Sequence, residues 1–316
     1  MKVVFAGTPR FAVAALDALV RGGHDVALAL TRPDRRRGRG LKVSPSPVKT
    51  AARAHGIETA QPPKLSPEVA DRIRSIAPDA GVVAAYSVFI PKSLLGVPKH
   101  GWLNIHPSLL PKYRGPSPVK SALLNGEGTT GVTIIRLTPK MDSGPILLQE
   151  EVKIGEDENA AQLDGRLALV GARLINDALA LLESGGGHFR EQDDSKATYC
   201  ATFNKDAGAI DWSSGNVVNH IRAMTPWPGA RSTVRPQATG KTAEIIITGA
   251  RMLKGSSDAR AGQVVKVNRE GIIVRSGGGD VLVTKIKPAG KKEMSAFDFA
   301  NGYRISTGDI FRCGKQ

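Results

Sequence analysis

The sequence predicts an α/β protein: a Rossmann-like N-terminal domain followed by a small C-terminal OB-like β-barrel domain. Three observations lead there. At roughly 100–200 residues per domain, 316 residues fit two domains, although length alone also permits one large α/β barrel. Apolar strand-like runs alternate with helical patterns up to about residue 205. Beyond Asp206 the helical patterns give way to short β-branched runs separated by Gly-rich turns. The boundary is drawn at Lys205/Asp206, with residues 1–205 as the first domain and 206–316 as the second.

Val3-Val4-Phe5-Ala6-Gly7 is an apolar run ending at Gly, and Thr8-Pro9 leads into Phe11, Ala14, Ala15, Ala18 and Leu19 at helical spacing. That reads as strand, turn, helix. Asp25–Leu30 returns as a second strand, Pro47–His55 and Pro67–Ala77 read as helices, and Gly81–Ala85 as a strand. Strands this apolar imply a parallel sheet covered on both faces. Leu103–His106 and Gly131–Leu137 read as two further strands. Asn159–Glu183 is a long helix with Leu163, Leu167, Val170, Leu174, Ala178 and Leu181 along one face, closed by Gly185-Gly186-Gly187. In the second part, residues 243–248, 263–267, 271–275 and 280–284 are the short strands of a small antiparallel barrel or sandwich.

Several classes are excluded. Hydrophobic residues at 41% and charged residues at 23% describe a chain that builds a core, so disorder drops out. The apolar stretch Gly81–Ile90 is far short of the ~20 residues a membrane helix needs. The opening Met1–Gly7 reads as a strand and not as a secretion signal, so the expected location is cytoplasmic. Cys200 and Cys313 stand far apart without a CxxC, and no two histidines have ligand spacing, so neither a disulfide framework nor a metal is expected. Gly7-Thr8-Pro9-Arg10-Phe11-Ala12 lacks the second and third glycines of a dinucleotide fingerprint, which argues against NAD.

The net charge of +15 is focused. Residues 206–316 hold 17 Lys+Arg against 9 Asp+Glu, and residues 1–205 hold 27 against 20. In the first part Arg32, Arg35, Arg36, Arg37, Arg39 and Lys42, less Asp34, supply most of the surplus. Pro33, Gly38 and Gly40 forbid a helix there. Guanidinium groups this dense repel one another, a cost that an anionic partner offsets, and nucleic acid is the partner this pattern favours over a merely solvated loop. Lys287, Lys291 and Lys292 stand equally as phosphate contacts or as a solvated turn. In Pro226-Trp227-Pro228 a rigid turn that buries Trp227 is preferred to a base-stacking surface.

The segment Trp102–Pro118 carries the chemistry. Residues two apart on a strand share a face, so Asn104 and His106 present a carboxamide and an imidazole side by side. Ser108-Leu109-Leu110-Pro111 is a fixed loop beside them, and Asp142, in Met141-Asp142-Ser143-Gly144, follows the strand 131–137 on a turn. Asn, His and Asp together suit transfer of an acyl-type group to an amine. The carboxamide donates to an oxyanion, the imidazole moves a proton, and the carboxylate holds the ring. Taken singly, each has a plainer role: a core histidine, a strand-edge amide, a turn-capping Asp.

Asn104–Pro118, Thr130-Gly131-Val132-Thr133 and Met141–Gly144 together resemble the signature of the 10-formyltetrahydrofolate-dependent formyltransferase family. The resemblance runs on through Phe5–Pro9, the basic loop into Ser44–Lys49, Ala85-Tyr86, Ile90-Pro91, Ile210-Asp211-Trp212, Pro226–Gly229 and Pro288–Met294, covering nearly the whole chain. It points to the members that act on initiator methionyl-tRNA. It implies that Asn104, His106 and Asp142 are the catalytic trio, and that Ser108, Leu109, Leu110, Pro111, Tyr86 and Ile90 contact the folate co-substrate. It also implies that Arg35, Arg36, Arg37, Arg39 and Lys42, with Lys291 and Lys292 in the second domain, contact the tRNA, Arg39 foremost. A monomer is expected. Ser87, Pro116-Ser117 and Thr138-Pro139-Lys140 depart from the family pattern without touching the trio. The alternatives are a formyltransferase acting on an amino-sugar nucleotide or on glycinamide ribonucleotide, and a noncatalytic tRNA-binding protein on the same scaffold.

Overall fold

A computed structural model describes residues 1–37 and 42–314, with Arg37 and Lys42 described as backbone only. It divides into two compact units, each described by itself. The first comprises Met1–Pro118, Thr129–Lys153 and Asp164–Cys200; the second comprises Val119–Gly128, Ile154–Leu163 and Ala201–Gln316.

Along the chain come β1 (Lys2–Gly7), α1 (Arg10–Arg21), β2 (Asp25–Leu30), β3 (Arg35–Arg37), β4 (Lys42–Ser44), α2 (Pro47–Ala54), β5 (Thr59–Ala60) and α3 (Pro67–Ile76). They are followed by β6 (Ala80–Ala84), α4 (Lys92–Leu95), β7 (Trp102–His106), α5 (Pro118–Leu124), β8 (Thr129–Arg136), β9 (Ile146–Lys153) and α6 (Ala160–Glu183). The sheet of the first unit runs β5-β2-β1-β6-β7-β8-β9. The strands from β5 to β7 are parallel. Helix α1 buries Phe11, Ala12, Ala15, Leu16 and Leu19. Helix α2 starts where Ser46 accepts the Lys49 N–H at 3.0 Å, with Pro47 in the first turn. Gly81 is opposite Trp102 in the ladder, and a Cβ there would lie 2.3 Å from the indole, so this strand pair closes only with glycine.

The strands read as a parallel sheet are parallel, and the pairing reverses beyond β7. β8 pairs antiparallel with β7, and β9 antiparallel with β8. Residues 137–145 link β8 to β9, fewer than the dozen or so that a parallel crossover needs. β9 alternates between more and less buried positions, the pattern of a strand with one solvated face.

In the second unit α7 (Val217–Met224), β10 (Ala230–Val234), β11 (Ala243–Met252), β12 (Val264–Asn268), β13 (Gly271–Ser276), β14 (Gly279–Pro288), β15 (Met294–Ser295), α8 (Ala296–Tyr303) and β16 (Phe311–Cys313) follow. The antiparallel sheet runs β12-β13-β14-β11-β10-β16, with β15 on β14. Its two edges meet: Gln263 bridges Ile310, and the Val264 N–H donates to the Asp309 carbonyl at 2.8 Å, so the sheet curls into a barrel. Trp212 is buried within it, edge-on to Phe311, its indole N–H donating to Ser232 Oγ at 3.1 Å. Trp227 corrects the expectation of burial. It is 51% exposed, with Lys120 Nζ 4.5 Å from its ring centroid.

Candidate active site

β7 lies between β6 and β8: Asn104 is paired with Val83 on one side and Ile135 on the other, and His106 with Thr133 on β8. Asn104 is half-buried and His106 buried, on the same face two residues apart. The loop after β7 then folds back over the strand. Thr133, opposite His106 on β8, pins it at two points and is itself held by Gln149 of β9. Its hydroxyl donates to the Ser108 carbonyl at 2.6 Å and accepts from the Leu110 N–H at 3.2 Å and the Gln149 amide at 2.8 Å. Gln149 also donates to the Leu110 carbonyl at 2.9 Å, and Leu110-Pro111 is cis. Gly131 leaves room for the loop, because a Cβ there would sit 2.4 Å from the Leu109 side chain.

Tyr113 takes a left-handed conformation, φ 61°, and its carbonyl meets His106 Nε2 at 2.9 Å. A carbonyl only accepts, so Nε2 carries a hydrogen and Nδ1 is the nitrogen left to face the site. There it lies 3.7 Å from Asp142 Oδ2. The ring is therefore anchored by the Tyr113 carbonyl, while Asp142 acts on it as a nearby charge.

Asp142 also sits in the left-handed region, φ 48°, a conformation Asp tolerates better than most residues. Its Oδ2 accepts the Gly115 N–H at 2.8 Å, and its Oδ1 is 3.5 Å from Asn104 Nδ2. The carboxylate thus stands between the carboxamide and the imidazole. The turn carrying it packs tightly on β8, since a Cβ on Gly144 would overlap the Arg136 carbonyl at 1.7 Å.

What holds this turn was not legible in the sequence. The Gln192 amide donates to the carbonyls of Asp142 at 2.8 Å and of Gly144 at 2.7 Å. Its Oε1 accepts from Arg114 Nε at 3.1 Å and Nη2 at 2.8 Å. Arg114, fully buried, also reaches Asp194 at 2.7 Å, where hydrogen bonds from Lys140 and Arg114 hold the Asp194 carboxyl below the usual carboxylate range. Arg114 precedes Gly115, so one bracket fixes both the Asp142 turn and the amide its carboxylate accepts.

Of the other residues singled out, Ser108 and Leu110 are buried and Leu109 and Pro111 half-buried. Tyr86 and Ile90 belong to an apolar cluster with Leu94 and Trp102. Burial pushes the Tyr86 phenol up to about 12, and its hydroxyl finds no partner among the described residues. The basic segment is a hairpin, Arg35 opposite Ser44 and Arg36 opposite Val43, with both arginines exposed. Its Asp34 is engaged elsewhere, accepting from Lys49 at 2.7 Å and Gln61 at 2.7 Å, and the Lys49 bond holds its carboxyl low. Arg37 and Lys42 pair through their backbones, and Arg39 lies outside the described residues. Lys291 sits 5.0 Å from the Tyr303 ring centroid and Lys292 is exposed. No helix among the described residues is long and apolar enough to cross a membrane.

Residues 1–179 match the formyl transferase family and residues 203–304 the formyl transferase C-terminal domain. A methionyl-tRNA formyltransferase of Moorella thermoacetica is 40% identical over 316 residues, covering 99% of this chain and 100% of its own. That of Geotalea uraniireducens is 40% identical over 313 residues, 98% of this chain and 97% of its own. Among solved structures, an N-formyltransferase from Helicobacter canadensis in complex with folinic acid and dTDP-3-aminofucose has a TM-score of 0.64 at 16% identity, over 90% of this chain and 98% of its own. HypX from Aquifex aeolicus, solved with tetrahydrofolic acid, has a TM-score of 0.63 at 16% identity, over 96% of this chain and 47% of its own. The structural likenesses bear on fold; the full-length sequence identity bears on family, and by it the chain belongs to the methionyl-tRNA formyltransferase family.

Proposed function

We propose that the chain transfers the formyl group of 10-formyltetrahydrofolate to the α-amine of methionine esterified to initiator tRNA, giving N-formylmethionyl-tRNA. The observation that carries this is the convergence of Asn104 and His106 on the Asp142 carboxylate, at 3.5 and 3.7 Å, in a chain of this family.

The amine attacks the formyl carbon; the bond from that carbon to N10 of the folate breaks as the new C–N bond forms. The proton lost by the amine ends on N10, so tetrahydrofolate leaves neutral at that atom. Asn104 Nδ2 donates to the formyl oxygen as it gains negative charge. His106 can do the same only through Nδ1, because Nε2 is held by Tyr113. With a proton on Nδ1 the ring bears a positive charge beside Asp142, which balances it and serves as a way station for the proton in transit. Fixed by Gly115 and by the Gln192 bracket, the carboxylate needs little rearrangement during the reaction.

The residues present fit a folate. Ser108–Pro111 forms a wall pinned by Thr133, and the unpartnered Tyr86 hydroxyl is a buried polar atom that a bound heterocycle satisfies. On the tRNA side, Arg35 and Arg36 offer guanidinium groups from a hairpin whose own carboxylate is occupied. Arg39, Arg37 and Lys42 extend the same strip of sequence, and Lys291 and Lys292 are proposed as contacts of the second domain.

Two expected results follow here. Arg35→Ala/Arg36→Ala raises the KM for methionyl-tRNA about tenfold at ~0.1 M salt and flattens its salt dependence, with the KM for folate unchanged. Gln192→Ala lowers kcat by about tenfold to a hundredfold with both KM values near wild type, because misplacing a catalytic group by about 1 Å has that effect. Steady-state kinetics at several salt concentrations reads both. The reading as a whole is tested by offering purified protein charged methionyl-tRNA or a dTDP-amino sugar as formyl acceptor. Transfer to the tRNA supports it, and preference for the sugar nucleotide overturns it.

A further inference from the structure

The seam that closes the C-terminal barrel carries a second cluster of unneutralised charge. Arg235 follows β10, Arg312 lies in β16 opposite Thr233, and Arg260 precedes β12 at the other edge of the sheet. Closure through Gln263 and Ile310 brings the three together around a cavity of about 210 Å³. Arg235 spends its Nε on the Gly240 carbonyl at 2.8 Å, leaving its terminal nitrogens. Arg260 and Arg312 make no ion pair among the described residues.

One carboxylate lines the same cavity. Asp309 is 1% exposed, and its oxygens are taken by the loop backbone. Oδ1 accepts the Gln237 N–H at 2.9 Å, and Oδ2 accepts the Ser306 N–H at 2.8 Å and its hydroxyl at 3.4 Å. Asp309 thus ties the 237 and 306–309 loops into the pocket wall while offsetting one of three positive charges. The remaining surplus is a mutual repulsion that a bound anion relieves. At about 210 Å³ the cavity is smaller than the pockets that enclose organic ligands, and its lining residues include no aromatic to stack a base. A group bearing several acceptor oxygens, read by guanidinium forks, is what fits.

We propose that Arg235, Arg260 and Arg312 form a phosphate-binding pocket that takes one backbone phosphate of the tRNA. The proposal rests on the reading that this chain acts on methionyl-tRNA, and it assigns the second domain a defined point of grip.

The test is tRNA binding by full-length wild type, Arg260→Gln/Arg312→Gln and Arg260→Lys/Arg312→Lys, between 50 and 200 mM salt, with thermal melts to confirm folding. The glutamine pair is expected to lower affinity about tenfold near 0.1 M salt and to reduce the slope of log K against log salt by about one. The lysine pair keeps most of the slope, kcat at saturating tRNA is unchanged in both, and 10 mM inorganic phosphate at constant ionic strength leaves wild-type binding intact. An unchanged slope in the glutamine pair overturns the proposal. So does tRNA displaced from wild type by inorganic phosphate, which marks a site for the free anion. If wild type binds tRNA with its full salt slope yet forms no N-formylmethionyl-tRNA, the functional reading fails instead, and the two failures are separate.

Discussion

His106→Ala lowers the kcat of formyl transfer by about 10³-fold or more, with tRNA affinity within about twofold of wild type. The size follows from what the ring does. In the proposed reaction it is the group that both donates toward the formyl oxygen and passes a proton on, and its free nitrogen, Nδ1, has Asp142 3.7 Å away. Removal also takes the imidazole donor from the Tyr113 carbonyl, which keeps the Cys200 thiol at 3.7 Å, at a cost of about 0.5–1.5 kcal/mol in stability. A melt run beside the kinetics separates the two effects, since a folded variant that binds tRNA and does not turn over isolates the chemistry. Turnover near wild type in a folded His106→Ala protein contradicts the role given to the ring.

Asp142→Asn carries the second largest effect, a fall in kcat of about 10²–10⁴-fold with little change in melting temperature. Asn keeps the features of the site that are not charge. It adopts left-handed backbone readily, so φ 48° is not strained, and its carbonyl oxygen still accepts the Gly115 N–H. The negative charge beside His106 and the place for a proton in transit are lost. Asp142→Ala is the less informative change because it removes the Gly115 acceptor as well and leaves a residue that resists the left-handed conformation. Equal activity in Asp142→Asn and wild type shows that Asp142 serves only to shape the turn.

These two residues differ in how far the sequence revealed them. Asn104 and His106 are two apart on a strand recognisable from its apolar flanks, so their shared face follows from pleat geometry alone. Asp142 is different. Its approach to His106 depends on a left-handed turn, on Gly144 packed against the Arg136 carbonyl, and on Gln192, 50 residues downstream. No local pattern encodes contacts of that separation, and family resemblance supplied what spacing did not. The same limit hid Arg114, whose burial depends on Gln192 and Asp194 some 80 residues away.

The sequence left the direction of β8 open. β8 is apolar enough to pass for a parallel core strand, and the short link to β9 fixes the direction of β9 on β8 but not that of β8 on β7. In the basic segment, Pro and Gly correctly excluded a helix but did not disclose the strand pair, because Arg35–Arg37 and Lys42–Ser44 are only three residues each, too short to show an alternation of apolar and polar side chains. Trp227 erred the other way. Its flanking prolines suggested a buried corner, whereas the ring is half-exposed beneath Lys120.

The central claim is that this site moves a formyl group from the folate to the amine of a charged tRNA. The most direct test is a stoichiometric transfer with purified protein, labelled 10-formyltetrahydrofolate, and either methionyl-tRNA or methionyl-tRNA whose α-amine is acetylated. The expected result is one labelled formyl group on methionine for each tetrahydrofolate released, and none with the blocked amine. Loss of the formyl group from the folate without N-formylmethionyl-tRNA, or equal consumption with the blocked acceptor, would contradict it.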